Sequence, residues 1–274
     1  MEALARVRNH KWTVIVIVGY ALFMDYFIYG LIVPLGPYSP AKVTSESQLG
    51  LLYGAYALGV LLATPLFGYL GDRLGCRKPM IIGVALSALA TFLFCFAGEF
   101  YLSVFARFAQ GAAAAATWTA GLALVAENYA DKRVQMMGIA MIGSTAGSAI
   151  GPIAGGFLYD KGGYQFPFLL TGIMVFIDAF FRIGLLPEDK GSSEKSPDLK
   201  VFLFDKSVMV AGLAVAVAAA GWGIIEPLLP AHMRQSGASP GQVGLLFTVS
   251  TITYGFAAPL VAWAADRFSI KKTI

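Results

Sequence analysis

Five ionisable side chains stand well inside long apolar runs of this 274-residue chain: Asp25, Arg107, Asp178, Arg182 and Glu226. A charge at the centre of a bilayer costs about 2.5 to 3.5 kcal/mol even on the lowest scales, so each needs a partner, a water-filled cavity or a task. Asp178 and Arg182 are four residues apart with the acid first, the favoured order for an intrahelical ion pair, and are read as a structural, mutually neutralising pair. Asp25 and Glu226 have no such cation on their own helices, but each has an aromatic ring one turn away. Asp25 shares a helix face with Tyr29, and Glu226 with Trp222. A carboxylate beside an aromatic face suits a desolvated organic cation, the ring adding up to about 2 kcal/mol when dry. Asp25, Tyr29, Trp222 and Glu226 are therefore the expected substrate- and proton-binding set. The ordinary alternative for the two rings alone is packing against lipid or core.

Those charges have to be held by helices that cross a membrane. The chain is 57% hydrophobic and 13% charged, with a mean hydropathy of +0.69, and its apolar runs reach the roughly 20 residues that a spanning helix needs. Eight spans are expected, at 12–34, 48–71, 79–98, 101–126, 136–158, 166–186, 208–231 and 241–265. With the N-terminus in the cytoplasm, only Lys42, Lys161 and Arg234 lie outside and fifteen cations lie inside, Arg107 and Arg182 being within spans. The basic residues fall in short blocks between apolar segments and form no continuous face, which argues against nucleic acid as a partner. Cys76 and Cys95 lack metal or disulfide spacing, and His10 and His232 lie at or outside the membrane edges. With no nucleophile elbow, metal cluster or phosphate loop, an enzyme, a cofactor and a bound metal are not expected.

Gly68-Tyr69-Leu70-Gly71-Asp72-Arg73-Leu74-Gly75-Cys76-Arg77-Lys78 interrupts the second and third runs with a charged turn, where Gly71 and Gly75 would let the backbone bend. The pattern returns at a constant offset: Gln48-Leu49-Gly50 matches Gln242-Val243-Gly244, Pro65 matches Pro259, and Asp72-Arg73 matches Asp266-Arg267. The chain contains a duplication. Pro187 to Lys206 is its longest polar stretch, so the expected organisation is a six-helix half at 1–187, a cytoplasmic linker at 188–207 and two further helices at 208–274. Helix 5 carries Gly143, Gly147, Gly151 and Gly155 at steps of four, then Gly156, with Pro152 as a kink site. Another helix must approach that face closely.

The charged turn resembles the loop between helices 2 and 3 of major facilitator transporters. Gly151-Pro152-Ile153-Ala154-Gly155-Gly156 resembles the antiporter motif of that superfamily, and Arg107-Phe108-Ala109-Gln110-Gly111 the helix-4 arginine motif of its drug:proton antiporters. With Met24-Asp25-Tyr26 and Ile225-Glu226-Pro227-Leu228-Leu229-Pro230, the chain is most similar to vesicular amine transporters and their bacterial efflux relatives. The resemblance implies an all-α polytopic fold of two halves related by an axis along the membrane normal. It implies exchange of protons for a small organic cation, an amine or drug, by alternating access. Arg107 would take part in proton coupling, and Gly68, Asp72, Arg73, Gly75, Arg77, Lys78, Asp266 and Arg267 in cytoplasmic gating. A monomer in a plasma or inner membrane is expected, or in a vesicle membrane for a eukaryotic source. A carrier of neutral or anionic solutes is the alternative. So is a transport-inactive fragment, since the second half reads as two helices only, with helices 7 and 8 expected to sit loosely beside the first six.

Overall fold

The structure, a computed structural model, describes residues 10–41, 45–187 and 206–268, with 258–268 as backbone alone. Among the described residues there are eight α-helices: α1 (Lys11–Ile32), α2 (Glu46–Leu74), α3 (Arg77–Phe96), α4 (Phe100–Asn128), α5 (Arg133–Gly162), α6 (Gln165–Leu185), α7 (Lys206–Gln235) and α8 (Pro240–Phe268). Single 3-10 turns at Gly36–Tyr38 and Ala130–Lys132 join α1 to α2 and α4 to α5. Among the described residues, α1 to α7 each contain a stretch long and apolar enough to cross a membrane, and α8 coincides with the eighth expected span. Most of the polar linker lies outside the described residues; its last two positions, Lys206 and Ser207, already belong to α7.

The repeated glutamines have a local job. Ser45 caps α2 by accepting from the Gln48 amide while the Gln48 side chain accepts from the Ser45 amide, both at 3.2 Å. Ser239 and Gln242 repeat the arrangement at the start of α8. Each capping box satisfies backbone donors that the first helical turn leaves open. The charged turn is shorter than its glycines suggest. α2 continues through Gly68, Gly71, Asp72 and Arg73 to Leu74, and a side chain added at Gly68 or Gly71 would meet open space. Neither glycine therefore serves a close turn. Gly75 alone takes a left-handed φ of 81°, and Arg77 and Lys78 already open α3.

The glycine face of α5 lies on α1. Gly143 meets the backbone carbonyl of Gly19, Gly147 that of Phe23, Gly151 that of Phe27 and Gly155 that of Leu31, leaving no room for a Cβ at any of them. The contact positions on α1 are also four apart, so two rows along the helices run side by side in register. Pro152 stays inside an unbroken helix with its ring against Gly30. An adjoining face of α5 receives α8: Gly156 abuts the Pro240 carbonyl, Gly244 abuts the Pro152 carbonyl, and the Thr248 hydroxyl donates to Ala149 O at 2.7 Å. α8 is thus seated on the first six helices, contrary to the loose placement expected for it, because glycine on both helices lets their backbones touch. α7 differs. Its described side chains from Val208 to Ile225 are all exposed, and burial begins at Glu226 and Pro227.

A methyl group should therefore be costly at one helix-5 glycine and harmless at another. Gly147→Ala places a Cβ against the Phe23 carbonyl and is expected to lower the melting temperature of the solubilised protein by several degrees. Gly138→Ala, in open space, should leave it unchanged or raise it slightly through helix propensity. Thermal unfolding in detergent compares the two.

Candidate functional site

A cavity of about 540 Å³ opens between α1, α2 and α5 on one side and α7 and α8 on the other. α1 contributes Tyr26, Tyr29, Gly30 and Val33; α2 contributes Tyr56; α5 contributes Ser148 and Pro152; α7 contributes Ala218, Trp222 and Glu226; α8 contributes Phe247, Thr251 and Tyr254. Glu226 is the single carboxylate in this lining, and no Lys or Arg accompanies it. One carboxylate oxygen, Oε1, accepts from the Trp222 indole N–H at 2.8 Å, and the other accepts a short hydrogen bond from the Tyr29 hydroxyl. Two donors from different helices fix the carboxylate at 5% exposure. Tyr29 and Trp222, expected from the sequence beside different acids, are brought to the same one.

Arg107 lies behind this wall. Its guanidinium carbon is 5.2 Å from the Tyr29 ring centre, 5.0 Å from Tyr53 and 5.4 Å from Tyr56, and Nη1 donates to Gln110 Oε1 at 2.9 Å. Among the described residues no carboxylate comes within ion-pair distance of it, so three ring faces and an amide stand where a counter-ion would be expected.

Asp25 is placed elsewhere. It shares a helix face with Tyr29, yet it is not among the residues that line the cavity, so Tyr29, Trp222 and Glu226 are brought together there and Asp25 stands apart. The longer tyrosine reaches across to α7, while the short aspartate stays inside the bundle. It lies beside Thr117 and within electrostatic reach of Arg182 and Asp178. Asp178 and Arg182 form the expected ion pair at 2.6 Å, and Arg182 also donates to the Thr117 hydroxyl at 2.9 Å and to Met80 O at 3.1 Å.

One end of the cavity is closed by contacts between the two parts of the chain. Val33, Tyr53, Val243 and Phe247 form a buried apolar cluster there. Beyond it Arg234, at the end of α7, donates to the Pro37 carbonyl and stacks 4.8 Å over the Tyr38 ring. The Tyr38 hydroxyl donates to Ala238 O at 2.9 Å, and burial pushes its ionisation above the ordinary tyrosine value against the opposing pull of Arg234, so it remains a donor. Asp160, at the end of α5, accepts from Ser239 Oγ and the Gly241 amide, both at 3.1 Å, where the α8 N-terminus favours an anion.

At the charged turn, Arg77 Nη2 donates to Ile183 O at 2.8 Å, tying the start of α3 to the end of α6, and Arg73 stacks 4.9 Å over Tyr69. Asp72 and Lys78 flank it in the last turn of α2 and the first turn of α3. The side chains of Asp266 and Arg267 lie outside the described residues. Sequence reasoning omits Tyr26, Tyr56, Phe247 and Tyr254 from the cavity. The available signal was the tyrosines in mid-span of α1 and α2, far from the interfaces where such rings usually sit.

The sequence matches the profile of the Major Facilitator Superfamily over residues 15–210 and 211–274. The chain is a member of that family. The members of that family are multi-pass membrane transporters and not enzymes. Similar curated proteins include the chromaffin granule amine transporter of Rattus norvegicus, 33% identical over 225 residues that cover 80% of this chain and 43% of that protein. The synaptic vesicular amine transporter of Homo sapiens is 30% identical over 212 residues, 76% of this chain and 41% of that one. The chain thus spans less than half the length of these relatives. The fold is also that of a bacterial homolog of the human lysosomal transporter Spinster, solved in an inward-facing, unoccupied conformation. The TM-score is 0.76 at 18% identity, over 97% of this chain and 64% of that one.

Removing the Arg234 side chain should loosen the closed end. In a protein carrying Thr251→Cys as a reporter in the cavity wall, Arg234→Ala is expected to speed labelling by a membrane-impermeant thiol reagent added from that side. Unchanged labelling would leave the closure to the apolar cluster alone.

Proposed function

We propose that the chain belongs to a carrier that moves a small organic cation across the membrane in exchange for protons, with Glu226 as the charge that receives the cation. The observation that carries this reading is the composition of the cavity wall: one carboxylate, no basic side chain, and the rings of Tyr26, Tyr29, Tyr56, Trp222, Phe247 and Tyr254 around it. A cation entering this space gains a carboxylate oxygen and several ring faces away from bulk water, where cation–π attraction is at its strongest. The likeness to vesicular amine transporters supports an amine as the class of cation.

Exchange follows from competition at one group. Glu226 cannot hold a proton and pair with a cation at once, so protonation from one side releases the substrate and deprotonation on the other readies the site again. Access alternates as the parts of the carrier rock about the cavity, an equilibrium that ligands bias through differential binding. The charged turns at Asp72-Arg73 and Asp266-Arg267 would set that equilibrium on the cytoplasmic side, Arg107 would couple it to the proton, and the helix-5 glycines would seal the path. The cation bias of the loops supports a cytoplasmic N-terminus. A cell membrane is the proposed location, with a vesicle membrane for a eukaryotic source.

The test is equilibrium binding of radiolabelled phenylethylamine to the full chain in lipid nanodiscs, with 2-phenylethanol as the uncharged competitor. Glu226→Gln is expected to weaken amine binding roughly 10- to 150-fold, the equivalent of losing a hydrogen bond to a charged group. Binding to the unaltered protein should fall as the pH is lowered, because only the ionised carboxylate attracts the amine, and the variant should lose that dependence. Equal binding of amine and alcohol, indifferent to Glu226, would favour a carrier of neutral solutes.

A further inference from the structure

The cavity leaves three buried charges without a role: Asp25, Asp178 and Arg182, at 5%, 1% and 1% exposure. Asp178 and Arg182 of α6 pair in the interior of the first six helices, next to Thr117 of α4 and the Met80 carbonyl of α3. Asp25 of α1 lies within electrostatic reach of both, on a stretch of α1 whose Met24 and Ile28 pack in one apolar cluster with Val175 of α6. We infer that Asp25, Asp178 and Arg182 form one proton-binding unit, with a single proton shared by two acids and Asp25 as its resting place.

The argument is a charge count joined to geometry. Two carboxylates and one guanidinium are enclosed together, and among the described residues no other Lys, Arg or His belongs to the group. Tyr20 and Tyr26 of α1 and Tyr56 of α2 are the remaining titratable neighbours, all neutral when protonated. α5 presents glycines to α1 over this length. With both acids ionised the cluster would carry an uncompensated negative charge, which a buried site tolerates poorly. With one proton it is neutral. The guanidinium is committed to Asp178 by direct contact at 2.6 Å and spends a further N–H on Thr117, whereas Asp25 makes no ion pair with it; one oxygen of each acid, Asp25 Oδ2 and Asp178 Oδ1, is buried with no hydrogen-bond partner. The proton therefore rests on Asp25, although in so coupled a pair its titration belongs to both acids.

When the proton leaves the Asp25 carboxyl, the cluster passes from neutral to one negative charge, and Arg182 is drawn between two carboxylates. Its bonds to Met80 O and Thr117 are the ones free to change. Such a shift would pull on α3 and α4 from α6, so proton loss here acts on helix packing and needs no contact with the cavity. The Asp178–Arg182 pair is then a working part of the proton site and more than a neutral filler.

Infrared spectroscopy of the full chain in lipid at neutral pH tests this through the carbonyl stretch of protonated carboxylic acids. The unaltered protein minus Asp25→Asn should reveal one such band, and Asp178→Asn should also abolish it, because one acid facing one guanidinium needs no proton. Arg182→Gln should roughly double the cluster's contribution, since both acids must then be neutral. Glu226→Gln should leave the Asp25 band in place, which keeps this outcome separate from the amine-binding test. A band untouched by Asp25→Asn, or one that survives Asp178→Asn, overturns the shared-proton unit.

Discussion

Backbone-to-backbone contact along α5 is the constraint on which the remaining geometry depends. Lipid tails are as apolar as leucine side chains, so helices in a bilayer gain little by hiding hydrophobic surface from one another and must associate through close packing and polar contacts. α5 meets that requirement twice. Its row at Gly143, Gly147, Gly151 and Gly155 receives α1, while Gly156 and the carbonyl of Pro152 receive α8. One helix thereby sets the distance between the element that carries Asp25 and Tyr29 and the element that carries Phe247, Thr251 and Tyr254. The cavity exists in the angle left between them.

The two charged groups of the interior follow opposite physical solutions. Glu226 is held at the cavity wall by donors on two helices, one to each oxygen. The Asp25 cluster is closed, its guanidinium bonded to Asp178, Thr117 and the Met80 carbonyl while one oxygen of each acid has no hydrogen-bond partner. In the proposed carrier, keeping these centres apart would let a second proton act beside the competition at Glu226, coupled to it through the position of helices.

Much of the fold was legible because the membrane simplifies the problem: long apolar runs become helices, and the chain has few other options. The Asp178–Arg182 pair was equally legible, since both partners lie on one helix at a spacing that geometry favours. The glycine row announced a close neighbour but could not name it, as nothing in a sequence says which helix supplies the carbonyls. Asp25 shows the limit most clearly. Helical spacing places it on the Tyr29 face, but a short side chain and a long one on that face reach different neighbours, and which neighbours are there is decided by packing. The charged turn misled for a local reason: glycine permits a bend without requiring one, and of Gly68, Gly71 and Gly75 only the last bends.

The tyrosine cage around Arg107 has a kinetic side. The guanidinium faced by three rings stands behind the same wall to which Glu226 belongs. In the proposed cation carrier it would oppose every positive guest, and so would limit how deeply any of them settles. A carrier gains from such a limit, because a site that binds too firmly cannot let go on the far side of the membrane. On that reading the fixed positive charge would shorten the residence of each passenger, trading depth of binding for the number of passengers carried.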